Sequence, residues 1–244
     1  VETIETLAHD FATAKPASIW IGYGMQRHTN GGQNVRAIDA LVAMTGNVGI
    51  PGGGARYAQL ESWAVNYHAM VQEPPAGSKG GEDRAININN FAAQVLAADD
   101  PPIKMLWIAC RNPFAQDPET SVMYKAFEAM DLVVTVDMFM NQTVEMSDIV
   151  LPCTSLFESY GLNFSYWHHW MNLNEQAIEP LYEAKHDVEI GMALSKKLNE
   201  LEPGSCTCPM DLPMEEWLAR EFNDGLYKMF GINHWTELKT KGPV

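Results

Sequence analysis

The chemistry available to this chain concentrates where its apolar runs stop. Gly22-Tyr23-Gly24 is followed closely by Arg27. Two glycines around an aromatic residue let a ligand approach the backbone. A guanidinium three residues on can pair with a phosphate. As a dinucleotide fingerprint the pattern is incomplete, because Arg27 stands where G-x-G-x-x-G needs its third glycine. A second group is Cys110-Arg111-Asn112-Pro113, where Pro113 pushes Asn112 toward extended backbone and shapes a turn. A third is Asp137, with Phe139 and Asn141 just beyond it. An acid at the end of a buried strand is costly to leave unpaired. It suits the two parallel donors of a guanine, it suits a ribose diol, and it equally suits capping the next turn. His168-His169 is a poorer metal site than it looks, since neighbours on an extended segment face opposite ways.

These groups need elements to hold them. Residues 18–23 (SIWIGY), 103–109 (IKMLWIA), 132–137 (LVVTVD) and 148–151 (DIVL) read as buried strands. Helical stripes follow over 34–44, 89–98 and 119–130, and again over 186–200 and 214–223. Residues 49–54 (GIPGGG) read as a loop, 63–81 as a long Pro- and Gly-containing excursion, and 155–179 as an aromatic-rich irregular stretch. Strands alternating with helices at this spacing predict βαβ units. The expected fold is therefore α/β and Rossmann-like, in three layers, with a mostly parallel twisted sheet and helices on both faces. Residues 1–200 are expected to form that domain, and 201–244 a helical extension of it. In such sheets ligands bind beyond the carboxyl ends of the strands, where all three groups fall.

Composition narrows the partners. The 244 residues carry a formal net charge of −15, which disfavours nucleic acid and an anionic membrane surface. No apolar run is long enough to span a bilayer, so no direct membrane insertion is expected. Residues 1–10 lack the basic start of a signal peptide. Cys206 and Cys208 are one residue apart, too close for the usual C-x-x-C pattern, and all four cysteines are expected as free thiols. No iron–sulfur spacing occurs.

Read in order, the motifs resemble a known family. Gln26-Arg27-His28-x-Asn30-Gly31 precedes Thr45-Gly46-Asn47-Val48-Gly49-Ile50-Pro51-Gly52-Gly53-Gly54. Arg111-Asn112-Pro113 comes next, then Asp137-x-Phe139 with Thr143, then Ser147-Asp148-Ile149-Val150-Leu151-Pro152, Glu158 and Gly161. This succession resembles the third domain of molybdopterin oxidoreductases of the dimethyl-sulfoxide-reductase family, over roughly residues 5–200. The resemblance implies a bis-molybdopterin guanine dinucleotide cofactor with molybdenum or tungsten, one dinucleotide of which this domain cradles. It places Gly22, Tyr23, Gly24 and Arg27 along the pterin and diphosphate. It places Asp137 on the guanine with Asn141 nearby, and Arg111, Asn112 and Phe139 in the same strand-end slot. Many members carry Thr or Ser where Asn141 stands.

The resemblance also implies that these residues are part of a larger enzyme. The metal ligand and an iron–sulfur cluster would lie in segments outside them. The remaining domains of the polypeptide are the expected partners, with an iron–sulfur electron-transfer subunit beside them. The compartment stays open between prokaryotic periplasm and cytoplasm. The block around Arg27 leans toward sulfoxide and N-oxide reductases. Formate dehydrogenase-like and thiosulfate or polysulfide reductase-like parents, and a non-catalytic subunit of the respiratory complex I type, are the alternatives. A nicotinamide or flavin enzyme would need an acid ending a second strand, and Asp39, the one at suitable distance, falls inside a predicted helix.

Overall fold

The computed structural model describes residues 1–57, 65, 76–77, 84–165 and 168–244. Most of the excursion expected over 63–81, and Tyr166 and Trp167 of the stretch expected to be irregular, lie outside the described residues. Two compact units are formed. The first takes Val1–Val65, Asn163–Asn172 and Asp224–Val244; the second takes Asn66–Leu162 and Leu173–Asn223.

In the first unit, α1 (Glu2–Thr13) leads to β1 (Ser18–Trp20), a 3-10 turn over Tyr23–Arg27, α2 (Gly31–Met44) and β2 (Gly54–Arg56). The two strands pair in parallel, Ser18 with Gly54 and Trp20 with Arg56. β1 is shorter than the apolar run predicted, because the chain turns at Gly22. α2 begins three residues earlier than its apolar stripe, straight after Asn30, whose left-handed backbone (φ 64°) starts it. Asp39 lies within α2.

The glycine-rich run between α2 and β2 is a packing device. Asn47 is fully buried; its Oδ1 accepts from the backbone N–H of Ala17 at 3.0 Å and its Nδ2 donates to Thr45 Oγ1 at 3.0 Å. That ties the loop to the start of β1. A Cβ on Gly53 would sit 2.4 Å from the Asn47 carbonyl oxygen, so only glycine fits there. The same unit ends in α9 (Asp224–Phe230), a 3-10 turn at Trp235–Glu237 and α10 (Leu238–Lys241). Leu226, Trp235 and Leu238 are buried.

In the second unit, α3 (Phe91–Ala97) precedes β3 (Met105–Ala109), α4 (Pro113–Gln116), α5 (Thr120–Glu128), β4 (Leu132–Asp137), α6 (Gln142–Glu145) and β5 (Ile149–Pro152). The strands form a parallel sheet in the order β3-β4-β5. The core is built on the alternation of β3 and the stripe of α5. Leu106 and Ile108 point into it from β3, and Met123, Ala126 and Phe127 meet them from α5, with Ala92 and Val95 of α3. Each large side chain so buried contributes about 1.5–3 kcal/mol. The central strand is buried throughout Val133–Val136, as a fully covered parallel strand should be.

The fold is thus α/β with parallel strands flanked by helices. Among the described residues those strands form a two-stranded and a three-stranded sheet, one in each unit. β6 (Gly161–Ser165) and β7 (His168–Asn174) pair with each other where an irregular stretch was expected. The alternation that betrays β7 is Met171 and Leu173 buried between Trp170, Asn172 and Asn174. Its two Asn residues, Asn172 and Asn174, are poor strand formers and mask the alternation. Val244 and Met171 exchange two backbone hydrogen bonds of 2.9 Å. α7 (Asp187–Leu201) and α8 (Met214–Glu221) fall close to the predicted helices.

Candidate functional site

The carboxyl ends of β3, β4 and β5 open into a hollow of about 260 Å³ lined by Cys110, Arg111, Asn112, Gln116, Val136, Asp137, Met138 and Cys153. In-register pairing sets this up. Ala109 pairs with Val136 and Asp137 with Pro152, so all three chains leave the sheet at one level.

Asp137 is held from two sides. Its Oδ1 accepts from the Phe139 backbone N–H at 3.0 Å, and its Oδ2 from the Asn141 side-chain amide at 2.8 Å. A carboxylate has about four acceptor positions, so two of them remain for donors in the hollow. Asn141 is itself fixed, because its Oδ1 caps α6 by accepting from Thr143 N and Val144 N. Turn capping and ligand acceptance are therefore compatible at Asp137, since they use different lone pairs. Phe139 is 72% exposed and, like Asn141, does not line the hollow; Asn141 reaches it only through Asp137.

Asn112 is positioned just as tightly. Its Oδ1 accepts from Thr143 Oγ1 at 2.6 Å, and its backbone N–H donates to Gln116 Oε1 at 3.0 Å. Pro113 opens α4 at a position where a missing N–H costs nothing. Arg111 differs from expectation in its surroundings. One guanidinium nitrogen lies 2.5 and 2.6 Å from the two carboxylate oxygens of Asp117, whose side chain is 3% exposed. The guanidinium also lies 5.9 Å from the Phe91 ring centre. Its charge is already matched within the unit.

Cys110 and Cys153 flank Asp137 in the hollow. Cys110 is exposed and holds a left-handed backbone, φ 54°. Burial pushes the Cys153 thiol up from its ordinary range, and the charges of Asp187 and Asp137 and the neighbouring Cys110 push it further. Both cysteines follow directly on strand ends, which is the signal that could have picked them out as lining residues.

The other predicted residues belong to the first unit. Gly22 precedes the 3-10 turn that carries Tyr23, Gly24 and Arg27. A Cβ on Gly22 or Gly24 would meet no atom within 4 Å, so the backbone there is open to a ligand. Tyr23 packs edge-on against Tyr57, ring centres 5.5 Å apart. Arg27 is exposed and makes no ion pair among the described residues.

A second hollow of about 520 Å³ lies between Glu158, Glu179, His186, Glu189 and Glu215. Its carboxylates repel a diphosphate. Glu158 is spoken for: it accepts from Ser155 N at 2.8 Å, Ser155 Oγ at 2.7 Å and Leu181 N at 2.7 Å. The Ser155 hydroxyl first, then those two amides, hold its carboxyl below the usual range. No cluster of three or more His, Cys, Asp or Glu among the described residues could hold a metal, and all four cysteines are free thiols.

A parallel-stranded α/β chain with a hollow at its strand ends has the architecture in which ligands bind beyond the carboxyl ends of strands, and comparison with known proteins gives the family. The sequence profile of "Molybdopterin oxidoreductase" matches residues 2–197. The chain belongs to the molybdopterin oxidoreductase family. It is 37% identical over 199 residues to the probable oxidoreductase YyaE of Bacillus subtilis (strain 168), covering 81% of this chain and 29% of that one. It is 30% identical over 216 residues to the dimethyl sulfoxide reductase DmsA of Escherichia coli (strain K12), covering 81% and 26%. With the trimethylamine-N-oxide reductase of Haemophilus influenzae the identity is 28% over 230 residues, covering 80% and 27%. In fold it is similar to the acetylene hydratase of Pelobacter acetylenicus, with a TM-score of 0.63 and 20% identity, over 99% of this chain and 37% of that one. The chain thus spans between 26% and 29% of the length of these sequence relatives.

Proposed function

We propose that this chain is the dinucleotide-cradling part of a molybdenum or tungsten oxidoreductase, and that it holds the guanine end of one molybdopterin guanine dinucleotide at Asp137. The observation that carries the reading is the Asp137 carboxylate, anchored by Phe139 N–H and Asn141 and still able to accept two hydrogen bonds at the carboxyl edge of a parallel sheet. Guanine offers two such donors side by side.

The residues present fit the group. Asn112 and Gln116 offer further polar atoms around Asp137. In the first unit, Arg27 stands exposed beside the open backbone of Gly22 and Gly24, a separate loop suited to a phosphate group. When bound, the cofactor supplies a metal that cycles between oxidation states. This chain's own residues bind and orient it.

The names of two relatives, a dimethyl sulfoxide reductase and a trimethylamine-N-oxide reductase, support oxygen-atom removal as the parent reaction. The rest of the polypeptide would supply the metal ligand and any iron–sulfur cluster, and an iron–sulfur subunit would supply electrons. The test is a titration of GDP and ADP against the chain and its Asp137→Ala variant. GDP binding that weakens by about tenfold or more in the variant, as expected for a charge-assisted pair of hydrogen bonds, supports the reading. Equal GDP affinity in both proteins defeats it.

A further inference from the structure

Two thiols in the nucleotide hollow have no part in the function proposed above. Cys110 ends β3 and Cys153 follows β5, so they stand on either side of Asp137, the last residue of the central strand. Both line the same hollow of about 260 Å³. Their positions differ chemically. Cys110 is exposed, and its left-handed backbone sets it apart from the run of the strand. Cys153 is partly buried, and burial together with nearby acids disfavours its thiolate, which is the reactive form.

We infer that Cys110 is a covalent modification site for neutral, soft carbon electrophiles, and that its adduct fills the hollow and shuts guanine nucleotides out. The inference rests on the guanine reading of the same hollow. A neutral reagent is specified because Asp137 lies beside the thiol and repels anions. With a maleimide, the Cys110 sulfur adds to one alkene carbon. One C–S bond forms, the alkene π bond is lost, and the other carbon gains a proton in place of the one the thiol gave up. No electrons are exchanged with a third party.

The experiment treats the chain with N-ethylmaleimide and locates adducts by peptide mass spectrometry. Cys206→Ser/Cys208→Ser is the background, which removes the two thiols outside the hollow. Two readouts follow. The first is GDP affinity before and after treatment, in the background protein and with Cys110→Ser added. Treatment is expected to weaken GDP binding at least tenfold in the background protein, and to leave the treated-to-untreated ratio near one once Cys110 is Ser. The second needs no nucleotide: the rate at which Cys153 reacts with a second reagent. Capping Cys110 is expected to slow it severalfold, because both thiols share one hollow.

If GDP binds and a confirmed Cys110 adduct leaves its affinity unchanged, the inference is overturned while the guanine reading stands. If GDP does not bind but capping still shields Cys153, the guanine reading fails and the shared thiol hollow survives, so the exclusion claim falls with the nucleotide. If capping has no effect on Cys153, the geometry itself is wrong. Circular dichroism of each variant confirms that it is folded.

Discussion

Arg111 donates to both carboxylate oxygens of Asp117 from a single nitrogen, at 2.5 and 2.6 Å, bridging the two ends of the short helix α4. That contact sets Arg111 of the second unit apart from Arg27 of the first. Arg27 is exposed and unpaired among the described residues, whereas Arg111 neutralises a buried acid. Arg111→Ala leaves Asp117, 3% exposed, without its counter-charge. Removing one partner of a buried pair costs about 3–5 kcal/mol, and the 32% exposure of Arg111 lowers the expectation to about 2 kcal/mol. Thermal unfolding should show that loss with or without nucleotide present.

Arg27→Ala should behave in the opposite way. Its melting temperature should match that of the unsubstituted chain within about a degree, because surface changes away from packing cost roughly 0.5 kcal/mol or less. Affinity for inorganic diphosphate should fall about tenfold at low ionic strength, and the difference should shrink as salt screens the charge. A titration at two salt concentrations reads both effects. An affinity loss that ignores salt would remove Arg27 from the diphosphate.

Asn141→Ala probes the support beneath Asp137. The substitution removes the cap of α6 and the donor to Asp137 Oδ2. Cap loss costs about 1 kcal/mol. GDP affinity should fall as well, by less than in Asp137→Ala, because the carboxylate remains but is no longer oriented. Equal losses in the two variants would make Asn141 a direct ligand contact instead.

Glu158 gives a pH signature. Its three hydrogen-bond donors hold the carboxyl below its ordinary value of 4.5. A depressed folded-state value means the stabilisation is complete above the ordinary value and is lost as pH falls through the folded one. Glu158→Gln should therefore melt below the unsubstituted chain at pH 7, and the two curves should converge as pH drops below 4.5. Convergence on raising the pH would contradict the assigned bonds.

Gly53→Ala tests whether the glycine-rich run is architecture or ligand contact. A Cβ there meets the Asn47 carbonyl oxygen at 2.4 Å and Ile50 Cγ1 at 2.8 Å. Overpacking of that kind costs about 2 kcal/mol. The melting temperature should drop, and GDP affinity of the folded fraction should hold.

Much of this was legible before any coordinates. β4 was readable to the residue because Leu-Val-Val-Thr-Val is a run that only a doubly covered strand tolerates. The helices α5, α7 and α8 were readable from apolar spacing. β7 was not, since its Asn residues argued against a strand until the burial of Met171 and Leu173 outweighed them. The Thr-Gly-Asn run resembles a family signature, yet its purpose in holding β1 depends on Asn47 reaching Ala17, thirty residues away in sequence.

Sequence alone determined the family, through the resemblance its motif succession carries, and it determined the α/β class and the groups that end the strands, because periodicity and residue type are local properties of the chain. Tertiary structure decided which of those groups is still available. Arg111 and Arg27 are chemically identical, and only folding revealed that Asp117 neutralises the first. Asp137 looked equally suited to capping and to ligand binding, and only the positions of Phe139 N–H and Asn141 showed that one carboxylate has room for both. Pairing of this kind depends on distances between residues that the chain brings together only when its core closes.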